Sequence, residues 1–436
     1  MQVSVKTTSG LEREMTVSIP SDRIASEVES RMTKAAKTAR IDGFRKGKIP
    51  LSVIKQRYGA GIKQDVVSEL VNSTYGEALQ QEKIRPAGNP SIKDLSDAEE
   101  GDLSYTAVFE VYPEVKLKDL GKLKIEKLNA SVTDEDVEDM LTNLRNQSAT
   151  WEEVDRKAQD GDQLTIDYSG SIKGEKFEGG TAENQKIEIG AGRMIPGFEE
   201  GLAGLKAGDK KDLKIKFPKD YQAEDLKGKA AVFAVEVHSV AEKKLPELNE
   251  EFAQRFGIEE GGVDALRVEI RKGMESELET ASAGGLKNAV MSALAEANNT
   301  DLPKTAVHEE VHRMKHEMAE PYKNQGQQID PHNLPDDMFQ ERAERRVLLG
   351  LLVSEVLKSA DIKLDNDKVK AEISRQAAGY ERSEEVEQYF YNNQELLSSI
   401  QMRVLEDQVV EHILEKAKVT EKDSSYKEII AAQAGG

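Results

Sequence analysis

Cysteine is absent from this 436-residue chain, and that gap removes disulfide staples, thiolate nucleophiles and cysteine metal sites at once. Aromatic residues are scarce too, at 5% with a single tryptophan, Trp151, which suits charged, elongated helices better than one dense globule. Nowhere do eighteen apolar residues run together, and Met1 to Gly10 holds no apolar stretch behind a basic one. A soluble, cytoplasmic protein without a membrane partner is expected. No P-loop lysine motif occurs, and Gly190, Ala191 and Gly192 lack a third glycine at the dinucleotide spacing, because Ile195 stands there. No nucleotide or other cofactor is expected, and no metal is assigned.

What is present is length, charge and one unusual segment. At 38% hydrophobic and 33% charged, the chain has room for about three domains with real cores. Its net charge is −20, yet residues 31 to 63 carry ten lysines and arginines against Asp42 alone, a local +9. A basic island on an acidic protein is an electrostatic footprint for a polyanion, with RNA the first candidate. Inside it lie Gly43, Phe44, Arg45, Lys46, Gly47, Lys48, Ile49 and Pro50. The glycines permit backbone angles that other residues resist and Pro50 suits the start of a following helix, so Phe44, Arg45 and Lys46 are expected at a loop tip.

Periodicity divides the rest. Met15, Val17 and Ile19 alternate as in a strand; Ile24, Val28, Met32, Ala35 and Ala39 recur as in a helix; Ile62 to Leu79 reads as a second helix, and Tyr105, Ala107, Phe109 and Val111 alternate again. Residues 1–112 are therefore an α+β domain. Residues 113–149 read as an ordered connector, with Thr133 as N-cap and Asp136 three residues on, packing with the later helices. Residues 150–245 turn β, with alternation at Leu164, Ile166 and Tyr168, at Leu213, Ile215 and Phe217, and at Phe233, Val235 and Val237. Residues 246–436 read as helical to the end, with a frayed tail from Ala431.

The β segment carries Tyr168, then Phe177 and Glu178 before Gly179 and Gly180, then Gly192, Arg193, Met194, Ile195, Pro196, Gly197, Phe198, Glu199, Glu200 and Gly201. This pattern, continuing through Phe217, Pro218, Tyr221 and Phe233, is similar to FKBP-type prolyl isomerases over about 95 residues. The resemblance implies that Tyr168, Phe177, Met194, Ile195, Phe198, Tyr221 and Phe233 line a proline pocket with Glu178 at its rim. Two positions depart: free-standing FKBP proteins usually have Trp where Phe198 stands and Asp where Glu178 stands, so macrolide affinity is not implied. The octet around Phe44, at its distance from Met1, resembles the signature of the bacterial trigger factor family.

Together the segments resemble that family over essentially the whole length. The implied fold is multidomain α+β: an N-terminal α+β docking domain, an FKBP-like antiparallel sheet with a helix, and an all-α chaperone domain. The implied function is an ATP-independent chaperone that meets unfolded nascent polypeptides at the exit tunnel of the large ribosomal subunit and isomerises X-Pro bonds. Phe44, Arg45 and Lys46 would make the contact with ribosomal protein and rRNA, and a homodimer would form off the ribosome. The alternative is a plain FKBP-type isomerase with a helical appendage, for dimerisation or client binding, and no ribosome contact.

One further motif competes. His308, Glu309, Glu310, Val311 and His312 satisfy the H-E-x-x-H pattern of zinc proteases, and His316 repeats the spacing. Such enzymes need a third ligand on a separate element and a cleft, neither of which the sequence displays, so this stretch reads as an exposed, charged helix face. His238 and His332 show no partners in the sequence and read as structural or solvated.

Overall fold

The computed structural model describes the chain apart from residues 43, 45, 46, 97–101, 325–328, 381, 435 and 436. It divides into two compact units, each assembled from two stretches of chain: Met1–Leu128 with Gly284–Lys422, and Asn129–Ala283 with Asp423–Gly436.

Strands β1 (Gln2–Ser9) and β2 (Glu12–Ile19) precede helices α1 (Ser21–Thr38) and α2 (Leu51–Glu82), then β3 (Ser91–Lys93) and β4 (Leu103–Glu110). The four strands form an antiparallel sheet in the order β1-β2-β4-β3. Its register sets Met15 opposite Ala107, Val17 opposite Tyr105 and Ile19 opposite Leu103, so the period-two residues share one buried face. Val66, Leu70, Val71 and Ala78 of α2 cover that face. The Tyr105 hydroxyl, fully buried, donates to the Val71 carbonyl at 3.3 Å and lies 3.0 Å from Thr74 Oγ1, so its polar atom is satisfied. Helices α1 and α2 run antiparallel, joined by Arg23 on Glu77 at 2.8 and 3.1 Å and by Arg31 on Glu69.

After β5 (Lys124–Asn129), helix α3 (Asp134–Gln147) starts on the capping box that its sequence announces. Thr133 Oγ1 accepts from the Asp136 N–H at 3.2 Å, and the Asp136 carboxylate accepts from the Thr133 N–H at 2.9 Å. A five-stranded antiparallel sheet follows, from β6 (Thr150–Glu153), β7 (Gln163–Ile172), β8 (Glu175–Glu188), β9 (Lys210–Lys216) and β10 (Ala230–Lys244), with the short helix α4 (Phe198–Leu202) packed on it. Strand β10 is its axis: β7 lies along one side, and β9 and β6 share the other. A bulge in β10 between Val237 and Ser239 presents His238, whose Nε2 meets the Asp167 carboxylate at 2.8 Å. His238 therefore has the partner that its sequence neighbourhood does not show.

The remaining elements are α5 (Glu250–Gln254), α6 (Gly262–Ala297), α7 (Lys304–Asn324), α8 (Asp337–Ser359), α9 (Asn366–Ala377), α10 (Ser383–Asn392), α11 (Gln394–Lys416), β11 (Lys418–Asp423) and α12 (Tyr426–Ala434). In one unit Val290 and Leu294 of α6 pack with Leu352, Val356, Val409 and Ile413 around Leu123 and Ile125. In the other, Met274 and Leu278 pack with Val137, Tyr426 and Ile429. The expected unbroken run of helix is interrupted by β11, which pairs with β5, and the segment expected to fray is helix to Ala434. Both differences have one cause. The partners that order these residues, β5 for the strand and the α3 and α6 face for α12, are remote in sequence, so local periodicity carries no trace of them. No helix among the described residues is long and apolar enough to cross a membrane.

Candidate active site

A cavity of about 380 Å³ opens between β7, β8, β10 and the loops around α4, lined by Tyr168, Phe177, Gly179, Arg193, Met194, Ile195, Pro196, Phe198, Phe217, Tyr221 and Phe233. That volume falls in the usual range for a small-molecule or single-side-chain site. Seven of the eight residues that the sequence groups as a pocket are thus brought together. The eighth, Glu178, is exposed and lies outside the lining, in the bulge where β8 carries Phe177 to Gly180 across from Gly170 alone. Phe217, which the sequence reads as part of a strand, completes the wall.

The rings make a continuous edge-to-face cluster. Phe233 lies 5.3 Å from Phe198, 5.9 Å from Phe177 and 6.1 Å from Tyr168, centroid to centroid, and Phe217 joins edge-to-face at 5.8 Å from Phe177, with Tyr221 tilted against it at 4.9 Å. Edge-to-face contact sets the positive rim of one ring against the negative face of the next and holds each at a fixed tilt. Phe198 and Phe233 are floor, both buried in the core, whereas Tyr168, Phe177, Met194, Ile195 and Tyr221 are half-buried walls. Gly170 makes room for one wall: a Cβ there would stand 2.7 Å from Phe233 and 2.8 Å from Phe177. Any larger residue would force Phe177 off its place.

One side chain that the sequence quotes without a role holds the loop that supplies Met194 and Ile195. Glu199, in the first turn of α4, is buried, and its carboxylate accepts four backbone N–H groups: Gly190 at 3.0 Å, Gly192 at 2.9 Å, Arg193 at 2.8 Å and Met194 at 2.9 Å. Burial alone would push its pKa up, but the donors from Gly192, Met194, Arg193 and Gly190 outweigh it and hold the carboxyl below the usual carboxylate value. Gly190, Gly192 and Gly197 all take positive φ, which lets the loop curl its amides onto one acceptor. In sequence Glu199 looks like any acidic residue beside Glu200; only the path of the loop distinguishes the two.

The lining contains no carboxylate and no histidine, so it offers no general base and no metal ligand set. What it can do is enclose an apolar group and strip water from it.

The loop between α1 and α2 is the second candidate site. Its two stems are closed by Ile41, Ile49 and Ile54, buried together against Met32, Ala36 and Ala39. Beyond that clasp Phe44 is 41% exposed, although its N–H is held by the Ile41 carbonyl at 3.1 Å. Arg45 and Lys46 lie outside the described residues. Lys34, Lys37, Arg40, Lys48, Lys55 and Arg57 are exposed around it, while Arg31 is partly neutralised by Glu69.

Comparison with known proteins matches three family descriptions in order: "Bacterial trigger factor protein (TF)" over residues 1–144, "FKBP-type peptidyl-prolyl cis-trans isomerase" over 154–238, and "Bacterial trigger factor protein (TF) C-terminus" over 262–415. Among curated relatives, the trigger factor of Cellvibrio japonicus is 49% identical over 435 residues, covering 100% of both chains. That of Teredinibacter turnerae is 46% identical over 434 residues, covering 99% of this chain and 98% of its own. A solved structure described as "Promiscuous Substrate Recognition in Folding and Assembly Activities of the Trigger Factor Chaperone" has a TM-score of 0.50 at 18% identity, covering 95% of this chain and 99% of that one.

Proposed function

This chain belongs to the bacterial trigger factor family and carries an FKBP-type peptidyl-prolyl cis-trans isomerase domain, and from that premise we propose that it chaperones nascent chains at the ribosomal exit tunnel while isomerising their X-Pro bonds. The observation that carries the catalytic half is the ring-lined cavity. Rotation about an amide breaks no σ bond; its barrier of about 18–20 kcal/mol is lost resonance. The twisted amide is less polar than the planar one, so a dry aromatic pocket favours it over the ground state without any proton transfer. In this reading Tyr168, Phe177, Met194, Ile195, Phe198, Tyr221 and Phe233 enclose the proline ring, Phe217 joins them, and Glu178 stands outside, near the entering chain. Glu199 is a positioning residue, since it acts through Met194 and Ile195.

The holding function falls to the helices of residues 246–436 together with the connector 113–149. Large apolar side chains lie exposed on several of these helices and the turns between them, among them Met338, Tyr380, Tyr389 and Met402, each more than half exposed. Scattered single contacts suit many different unfolded segments better than one groove would. Docking falls to Phe44, Arg45 and Lys46, with large-subunit protein under the aromatic and rRNA phosphates near the basic residues. Ribosome co-sedimentation across a salt series tests this half: binding that weakens steeply with salt is expected. Absence of binding at low salt would leave a plain isomerase with a helical appendage.

A further inference from the structure

We propose that His312, His316 and His332 form a binding site for one divalent transition-metal ion of the zinc type. The chain has only six histidines, yet these three, from α7 and from the 3-10 turn Pro331–Asn333, place a ring nitrogen each within 4.8 Å of one another. The ring centroids are 4.6 Å apart for His312 and His316, 5.5 Å for His312 and His332, and 5.9 Å for His316 and His332. His312 and His316 stand one helical turn apart on the same face of α7. His332 is aimed at them by its own turn, in which the His332 N–H is capped by Asp330 Oδ1 at 3.0 Å behind Pro331.

The geometry asks little of the protein. Tetrahedral zinc with Zn–N bonds of about 2.0–2.1 Å needs ligand nitrogens about 3.3 Å apart. All three rings are exposed and can close that gap by rotation about their side-chain torsions. Three imidazoles suit zinc, cobalt, nickel or copper, whereas magnesium and calcium want oxygen donors. The cleft beside them is lined by His308, Val311, His312, Lys315, Pro331, His332 and Asp336. Among the described residues that line it, Lys315 is the one ammonium, and Asp336 holds it in an ion pair, which cancels the charge that would repel a dication.

The ligand set is not the one the H-E-x-x-H pattern suggests. His308 stands outside the group, and Glu309, the would-be base, lines a different cavity with Arg85, Tyr112 and Arg346. The site is therefore a clasp. The ion would tie the turn of His332 to α7, with water in its fourth position. The third ligand missing from the sequence reading is His332, on a separate element.

The test uses the untagged full-length chain, titrated with Zn²⁺ by calorimetry and with Co²⁺ by visible absorption. One ion per chain and the d–d bands of a tetrahedral nitrogen site are expected. His316→Ala and His332→Ala should each weaken binding at least about tenfold, while His308→Ala and His412→Ala stay within about twofold of the parent. Helical circular dichroism should be unchanged throughout, because every altered side chain but that of His412 is exposed. Loaded with Zn²⁺, the His332 and Asn333 amides should exchange with solvent at least about tenfold more slowly than after chelation. No binding at stoichiometric Zn²⁺, parental affinity in His332→Ala, or a loss confined to His308→Ala would each overturn the proposal.

Discussion

Two phenylalanines frame this molecule: Phe198 is fully buried and Phe44 is 41% exposed, and each sits at the centre of a candidate site. The cavity around Phe198 is concave and built on the β7–β8 hairpin and the long-range pairing of β7 with β10, with a loop held by four N–H bonds to one carboxylate. Phe44, by contrast, is exposed beyond a small cluster of Ile41, Ile49 and Ile54 with Met32, Ala36 and Ala39 at the stems of the two helices. The difference teaches that the floor of the cavity, Phe198 and Phe233, cannot be altered without touching stability, whereas its half-buried walls and the exposed Phe44 can be changed with little cost to the fold.

The largest expected effect is the cleanest break between them. Replacing Phe44, Arg45 and Lys46 together with alanine should reduce ribosome co-sedimentation at least about a hundredfold, since the proposed docking rests on one aromatic and two cations there. Isomerase turnover and melting temperature should stay at parental values. Parental binding in that variant would return the tip to the status of a solvated loop.

Next, Phe198→Ala should cost about 3–5 kcal/mol of stability because it leaves a cavity in the core, so its lost activity is ambiguous. Tyr221→Ala sharpens the comparison, for Tyr221 is a half-buried wall. Turnover on an X-Pro peptide should fall about tenfold with the melting curve intact, equal to about 1.4 kcal/mol of transition-state stabilisation. Unchanged turnover in the folded Tyr221 variant would remove this cavity from the mechanism.

A smaller loss is expected from Gly170→Ala, whose added Cβ would meet Phe233 at 2.7 Å and Phe177 at 2.8 Å. Phe177 must swing away, and kcat/KM should drop several-fold while ribosome binding is untouched. Equal activity in both proteins would show that Phe177 is no wall of the site.

The smallest and most conditional effect is one of pH. The Glu199 carboxyl is held below its usual value of 4.5, so its contribution is fully present above pH 4.5 and fades as acid drives the pH below that towards the folded-state pKa. Glu199→Gln should cost about 2–3 kcal/mol at neutral pH, because an amide cannot accept from all four N–H groups, and should flatten the acid limb of stability. Trp151 fluorescence, the chain's one indole signal, reads that transition. An unaltered acid limb would mean that Glu199 does not anchor the loop.

Much of the cavity was legible through the resemblance to FKBP-type isomerases, because the seven residues that it implies, Tyr168, Phe177, Met194, Ile195, Phe198, Tyr221 and Phe233, all line one space. Phe217 was quoted within that pattern and as strand but given no place in the pocket, since its alternation with Ile215 says which face it occupies and not what lies beyond. Glu199 and His332 were illegible for a shared reason. Their roles depend on chain that arrives from elsewhere, a curled glycine loop in one case and a separate turn in the other. Strand β11 was missed likewise, as its partner β5 lies far back in sequence, whereas the Thr133 capping box was visible because both halves of it are three residues apart.

The two-stretch make-up of each compact unit bears on the order in which a growing chain can fold. The sheets of β1–β4 and β6–β10 draw their strands from short continuous spans, 2–110 and 150–244, and each can close as soon as its own span has been made. The helical cores cannot. Leu123 and Ile125 wait for Val409 and Ile413, and Val137 waits for Tyr426 and Ile429. During synthesis the N-terminal sheet and the aromatic cavity can therefore close while α3 and β5 still lack the partners for their apolar faces. A protein that shelters unfinished chains must itself pass through an unfinished stage, with its own helices the last to find shelter.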